Sequence, residues 1–403
     1  MLINACLLLA VLAPAPLQLP ELLAEVADRA PSVEVAEASI DVSRAAVGVA
    51  GTWDDAELSV MTERLPLPGG DPEDPVMITY RVGQPLNLFG RRQAAKRVAY
   101  AAVDRERAAR RRVSWDARGR AVELFYELWM NGEMRRIVES QIALLERMKE
   151  SALARVRAGM DMGHHDVLRA ESQIAAMEAE RASLADERAA IAAMLNTLRG
   201  RRPDEPLGDP VLPVVAPLPD LSTAAAAAWG SPEVESATAM VAQSEAGEVV
   251  ARKMYLPMVM VEAQYEQNAG MADGFGVALG LRVPLWWDRP RNEVAMARAM
   301  TRAAVRERHA MRTMADAEAR MAWSRTRASE RTLEALEQTA IPRMRETVAS
   351  IEVAYVAGRG EFLSLLDAIM ELRELEGRRV QAVATRGVTR FELDRIAGRE
   401  VAP

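Results

Sequence analysis

The 403-residue sequence predicts a mainly α fold with a small β part, a tandem duplication of one unit that runs helix, β-hairpin, long helical coiled coil. Three observations predict it. Aromatic residues make up only 4% of the chain while half of it is apolar, and Ala, Leu, Arg, Glu and Met fill most positions, a composition of long helices rather than compact mixed domains. Motifs recur in one order at an offset of about 200 residues. Each half also holds two short stretches in which apolar residues alternate with polar or small ones, the period of a strand.

The chain begins with an apolar run from Ala5 to Ala13 followed by small residues and prolines. That run suits the apolar region of a secretory leader and is too short to span a bilayer, so residues 1–18 are expected to be a signal peptide. The single cysteine, Cys6, lies inside it, so a processed chain would carry no disulfide, thiolate metal site or thiol nucleophile.

Five correspondences define the duplication. Leu19-Pro20 matches Leu218-Pro219, Pro85-Leu86 matches Pro284-Leu285, and Gly159 matches Gly358, each 199 residues apart. Pro31 and Val33 match Pro232 and Val234, and Arg105-Glu106-Arg107 matches Arg306-Glu307-Arg308, both at 201. The first repeat is therefore expected over 19–202 and the second over 219–400. The proline-rich stretch 203–218 between them forbids helix and reads as an extended linker.

Within each repeat the elements follow in the same order. Helices are expected at about 20–50 and 219–253, strands at about 57–65, 77–86, 256–267 and 275–286, and long helical hairpins at 90–200 and 290–398. The first arm of each hairpin, from Gln93 to Ala158 and from Asn292 to Ala357, could reach roughly 100 Å at about 1.5 Å per residue. Asn131-Gly132 and Pro342 are expected to kink or interrupt them. Glycines at Gly159, Gly163, Gly358 and Gly360 mark the turns.

Along the strands Val259, Val261, Ala263 and Tyr265 alternate with Met260, Glu262, Gln264 and Glu266, and Phe275, Val277, Leu279 and Leu281 alternate with Gly276, Ala278, Gly280 and Arg282. Such strands either pack on a soluble core or join a membrane barrel. The helices leave little spare apolar surface to cover them. Four strands cannot close a barrel and open edges cannot sit in lipid, so several copies must contribute strands. Three copies give twelve.

In this order and spacing the chain resembles the TolC-like outer-membrane factors of tripartite efflux and type I secretion systems. The resemblance rests on the duplication, on Pro85-Leu86 and Pro284-Leu285 leading into the long helices, and on the glycine turns followed by Asp166–Glu171 and Leu365–Ala368. Its general pattern is nearest the CzcC and CusC heavy-metal branch. The resemblance implies a homotrimer in the bacterial outer membrane, a twelve-stranded β-barrel continuous with a twelve-helix periplasmic α-barrel. It implies passive conduction of solutes, heavy-metal cations among them, from an inner-membrane pump of the RND type through a periplasmic adaptor protein. A drug-efflux or protein-secretion channel is the alternative within the family, and a soluble periplasmic coiled-coil scaffold the alternative outside it.

The resemblance also assigns residues. The turns carry the adaptor contacts, here Gly159, Met160, Gly163, Gly358, Arg359 and Gly360. Asp367 stands at the second of two acidic positions that narrow the entrance, with Ser364 at the first and Glu361 nearby. Glu262, Gln264, Glu266 and Arg282 are expected to line the barrel interior.

Other function classes find little support. A net charge of -7 argues against nucleic acid as a partner, and the Arg-rich run 105–112 reads as a solvated helix face. His164, His165 and Asp166 beside Met160 and Met162 are the most metal-like cluster, but adjacent histidines do not share a helix face, and a polar turn whose acidic residue starts the next helix is the expected reading. The 22 methionines suit gap-filling in alanine-rich packing. No phosphate loop, dinucleotide fingerprint or zinc-protease motif occurs, so neither an enzyme nor a cofactor is expected.

Overall fold

The computed structural model describes residues 15–63, 77–157, 163–268 and 272–399. Gly159, Met160 and the leader up to residue 14 lie outside the described residues. The chain divides into two compact units. One comprises the chain up to Val35, Arg111–Pro232 and everything from Arg312 onward; the other comprises Ala36–Arg110 and Glu233–Met311.

The first repeat contains β1 (Leu17–Gln18), α1 (Leu19–Arg29), α2 (Pro31–Ala50), β2 (Glu57–Glu63), β3 (Met77–Leu86), α3 (Arg91–Arg157) and α4 (Gly163–Leu198), followed by β4 (Pro210–Val211). The second contains α5 (Leu221–Ala227), α6 (Pro232–Lys253), β5 (Met258–Asn268), β6 (Gly274–Arg282), α7 (Asp288–Ala335), α8 (Ile341–Val356) and α9 (Phe362–Ile396). Local chemistry repeats with the sequence. Ala30, before Pro31, is extended at φ -62° and ψ 134°, and Ser231, before Pro232, at φ -63° and ψ 150°. A proline crowds the preceding residue out of the α region yet suits the first helical position, so each proline ends one helix and starts the next.

The repeats also end alike. After α4, Gly200 has φ +69° and Arg201 donates its amide to the Asn196 carbonyl at 2.8 Å; after α9, Gly398 has φ +60° and Arg399 donates to Asp394 at 3.0 Å. Both are left-handed glycine caps that satisfy the last helical carbonyls.

Two large apolar clusters lie in the first unit. In one, Leu22 and Val26 of α1 pack with Val122, Phe125 and Leu128 of α3 and Leu195 of α4. In the other, Val138, Ile142 and Met148 of α3 meet Tyr355 of α8 and Phe362, Leu365 and Ile369 of α9. An ionic tie supplements the first: Glu25 accepts from Arg199 Nε at 2.7 Å and Arg201 Nε at 2.6 Å. Burial pushes the Glu25 carboxyl up, but the two guanidinium groups outweigh that and hold it below the usual carboxylate range.

Four expectations change. Helix α3 runs through Asn131-Gly132 without interruption, because Asn131 is buried and its Nδ2 donates to the Leu184 carbonyl at 3.0 Å and to Glu187 at 3.1 Å, tying α3 to α4. At Pro342 the helix does change: residues Leu336–Ala340 form a π-turn, with the Ile341 amide reaching the Leu336 carbonyl, which accommodates a proline that cannot donate. Strand β5 starts after Pro257 and β6 stops before Pro284, neither of which has an N–H to donate, whereas Pro85, the counterpart of Pro284, stays in β3 opposite Met260. The connector after the first repeat is not wholly free, and residues 17 and 18, expected in the leader, belong to the fold: Leu17 and Gln18 pair in parallel with Pro210 and Val211, and Leu17 is buried in the first cluster.

Candidate functional site

In the second unit β2, β3, β5 and β6 form one antiparallel sheet in that order, and the β3–β5 ladder joins the two repeats. Its register places Leu58 and Val60 beside Val82 and Tyr80, these beside Ala263 and Tyr265, and those beside Val277 and Phe275. One apolar face therefore crosses all four strands. It is the exposed face: Tyr80 and Val82 are 43% and 45% exposed while Thr79, just before Tyr80, is 5%, and Phe275, Val277 and Leu279 exceed 70% or reach it. This inverts the alternation of a water-soluble sheet, whose polar side faces out.

The opposite face carries Glu262, Gln264, Glu266 and Arg282, the four residues expected on one side of the strands. It also carries Arg81, whose Nε lies 2.7 Å from Glu262, a partner that only the cross-strand register reveals. Gln264 Nε2 donates to Glu266 at 3.1 Å. Gly276 fits because a Cβ there would come within 3.1 Å of the Gln264 side chain, so the polar groups occupy the space that glycine leaves.

In the first unit the turn between α8 and α9 shows why it needs two glycines. Gly358 has φ +76° and its amide donates to Tyr355 at 3.0 Å, while Arg359 reaches back to Ala354, also at 3.0 Å. A Cβ on Gly360 would lie 2.9 Å from the Tyr355 nitrogen. Tyr355 itself is fully buried, with its ring 6.0 Å from Phe362 at 67° and its hydroxyl 3.4 Å from Asp166 Oδ2. Arg155, near the end of α3, lies over the ring and donates to the Tyr355 carbonyl. Burial, with the Asp166 charge adding to it, pushes the Tyr355 phenol up to about 12. Four helix ends thus converge on one tyrosine.

The candidate constriction residues Glu361, Ser364 and Asp367 are all exposed on one side of α9 and its cap. Glu371 and Glu374 continue that exposed stripe at helical spacing, a feature the sequence reading did not single out although the three-and-four spacing was there to be read. Of the adaptor-contact set, Gly358, Arg359 and Gly360 form the turn and Gly163 begins α4. The metal-like cluster does not assemble: His164 and His165 are exposed, Asp166 faces Tyr355, and among the described residues no three His, Cys, Asp or Glu side chains are placed to hold an ion. No described helix is long and apolar enough to cross a membrane.

Known proteins decide what this arrangement belongs to. Residues 22–201 match the family model described as outer membrane efflux protein. The match covers the first repeat, a little under half of the chain. The fold extends beyond the matched residues. The outer-membrane channel OprN is similar over 95% of this chain and 90% of its own, with a TM-score of 0.78 and 20% identity. CusC, solved in conformations that accompany folding and transmembrane channel formation, covers 96% of this chain and 93% of its own at a TM-score of 0.80 and 14% identity. The outer membrane protein VceC from Vibrio cholerae covers 94% and 96% at a TM-score of 0.77 and 16% identity. No curated protein matches the sequence significantly. At these identities the likeness establishes the efflux-protein fold over both repeats.

Proposed function

We propose that three copies of this chain form an outer-membrane exit duct, in which a twelve-stranded barrel leads from a helical conduit in the periplasm. The observation that carries this reading is the inverted sheet. A face bearing Leu58, Val60, Phe275, Val277 and Leu279 in the open is unfavourable in water and suited to hydrocarbon. Its edge strands β2 and β6 each have one ladder partner among the described residues. In lipid those edges need partners, and further copies supply them. A soluble scaffold would leave this apolar face without a use.

On this reading Glu262, Gln264, Glu266 and Arg282 face the lumen together with Arg81. The turns holding Gly163, Gly358, Arg359 and Gly360, with Gly159 and Met160, meet the hairpins of a periplasmic adaptor that connects to an inner-membrane pump. Asp367 contributes a ring of three carboxylates at the entrance, flanked by Ser364 and Glu361 and extended by Glu371 and Glu374. Such rings attract cations, which favours cationic solutes, heavy-metal ions among them, over anionic ones. Transport is passive and involves no catalytic residue or cofactor.

Cysteine pairs scanned along β2 against β6, in a Cys6→Ser background, test the closure. Oxidation in membranes should give covalent links between copies that end at trimers for at least one register. Links at no register, or a series that passes beyond three copies, would overturn the arrangement.

A further inference from the structure

Four short connections, residues 51–56, 87–90, 254–257 and 283–287, join the sheet to the helices of the same unit. They expose Trp53, Phe89, Leu285, Trp286 and Trp287, each between 48% and 84% accessible. Phe89 is the one non-glycine among the described residues with positive φ, at 59°, followed by Gly90 at 74°. A bulky L-residue adopts that conformation at a cost. Phe89 is half exposed.

Cations lie directly beside these rings. A cleft of about 730 Å³ is bounded by Trp53, Asn87, Arg91, Arg92 and Lys253. The Arg92 guanidinium stacks over Trp53 at 4.4 Å from the ring centroid. Arg91 spends its donors on the carbonyls of Lys253, at 3.2 Å, and Leu256, which fixes the wall. The Cε and Nζ of Lys96 occupy the space that a side chain at Gly51 would need, beside Ala50 and Thr52 of the cleft wall.

The cleft cations differ from the ion-paired arginines of the unit. Arg44, Arg107, Arg110, Arg252, Arg289 and Arg298 each meet a carboxylate. Among the described residues Arg91, Arg92, Lys96 and Lys253 show no such ion pair. Asp54 and Asp55 also bound the cleft, and Asp54 Oδ2 accepts instead from Asn87 at 2.9 Å, so cations exceed carboxylates there. Unpaired cations behind exposed aromatic rings, next to an apolar sheet, match the layering of a membrane interface: hydrocarbon, aromatic belt, phosphate.

We propose that this cleft binds the phosphate headgroup of an anionic phospholipid from the leaflet nearest the helices. Arg92, Lys96 and Lys253 meet the phosphate, Trp53 orients Arg92, and Phe89 enters the acyl boundary. The site rests on the barrel reading above. Phospholipid is the occupant rather than free phosphate because the charged cleft adjoins exposed rings and the apolar sheet, which a soluble ion would leave unused.

The test reconstitutes the full chain in nanodiscs of phosphatidylglycerol or phosphatidylcholine and counts lipids retained per protein by native mass spectrometry. Wild type should retain phosphatidylglycerol in preference. The triple variant R92Q/K96Q/K253Q should lose that preference by on the order of tenfold or more, at roughly 1 kcal/mol for each basic residue near an anionic surface. The charge-keeping variant R92K/K96R/K253R should retain it, which separates loss of charge from loss of fold. Equal retention of both lipids by inserted wild-type protein, or release of phosphatidylglycerol by inorganic phosphate at low millimolar concentration, overturns the lipid site and leaves the barrel standing. A chain that enters no disc overturns the barrel reading first.

Discussion

Arg155 lies with its guanidinium carbon 4.0 Å from the centre of the Tyr355 ring and donates to the carbonyl of the same residue. The two residues stand 200 positions apart, one near the end of α3 and the other near the end of α8, so this contact fastens the turn regions of the two repeats to each other. It combines a cation–π contact with a charged hydrogen bond on a side chain that water does not reach.

Removing the cation should loosen the turns selectively. Arg155→Gln should cost about 2 kcal/mol of local stability, from the lost ring contact and charged hydrogen bond. Hydrogen exchange should show faster exchange of amides from Val353 to Leu365, with the sheet amides unchanged. Protection unaltered in that segment would contradict the clamp.

Tyr355 gives the same region an alkaline limit. Its phenol is raised, so the folded state keeps a proton that the unfolded chain releases near pH 10. Stability is fully present below pH 10 and falls as pH rises through about 12. Tyr355→Phe should remove that loss, as read by thermal melts between pH 9 and 11.5, although it also removes the contact to Asp166.

The two turn glycines should differ in severity. Gly358→Ala meets open space and pays only for its positive φ, about 1 kcal/mol. Gly360→Ala drives a Cβ against the Tyr355 backbone at 2.9 Å and should cost more. Both should spare insertion of the sheet while weakening efflux in cells, measured as drug or metal susceptibility. Equal effects of the two substitutions on melting would argue against the packing described.

Much of this was legible beforehand because the determinants are local or periodic. The prolines at 31 and 232, the glycine turn at 358 and the two-residue alternation of the strands act within a few residues, and the duplication repeats them. What stayed hidden depends on distant partners. Asn131 reads as a helix breaker until Leu184 and Glu187 supply its hydrogen bonds. Arg81 reads as one polar strand residue until register sets it beside Glu262. Asp166 reads as one member of a polar turn until the fold sets the Tyr355 hydroxyl 3.4 Å from it. Pairing between residues 200 apart leaves no spacing signal.

Glu25 should make the first unit acid-sensitive. Its carboxyl is held below the usual range by Arg199 and Arg201 against the opposing effect of burial, so its contribution is present above the ordinary carboxylate pKa of about 4.3 and lost as pH falls through the lower folded value. Glu25→Gln should destabilise at neutral pH by about 3 kcal/mol, because Arg199 is left buried without its partner. The penalty should shrink toward acid pH. An equal penalty at pH 7 and pH 3 in denaturant titrations would contradict it.

Charge along α9 should set selectivity. Asp367→Asn should reduce cation preference in planar bilayers and raise conductance, and adding Glu371→Gln should reduce the preference further, since both side chains share one exposed stripe. Reversal potentials unchanged in both variants would remove this stripe from the pore.

The claim on which these depend is that the exposed apolar sheet is completed by other copies in lipid. Native mass spectrometry of protein released from outer membranes measures it directly. Release should require detergent and yield a particle of three 44.2 kDa chains, less any leader removed. A single chain recovered from the periplasmic fraction without detergent would contradict it.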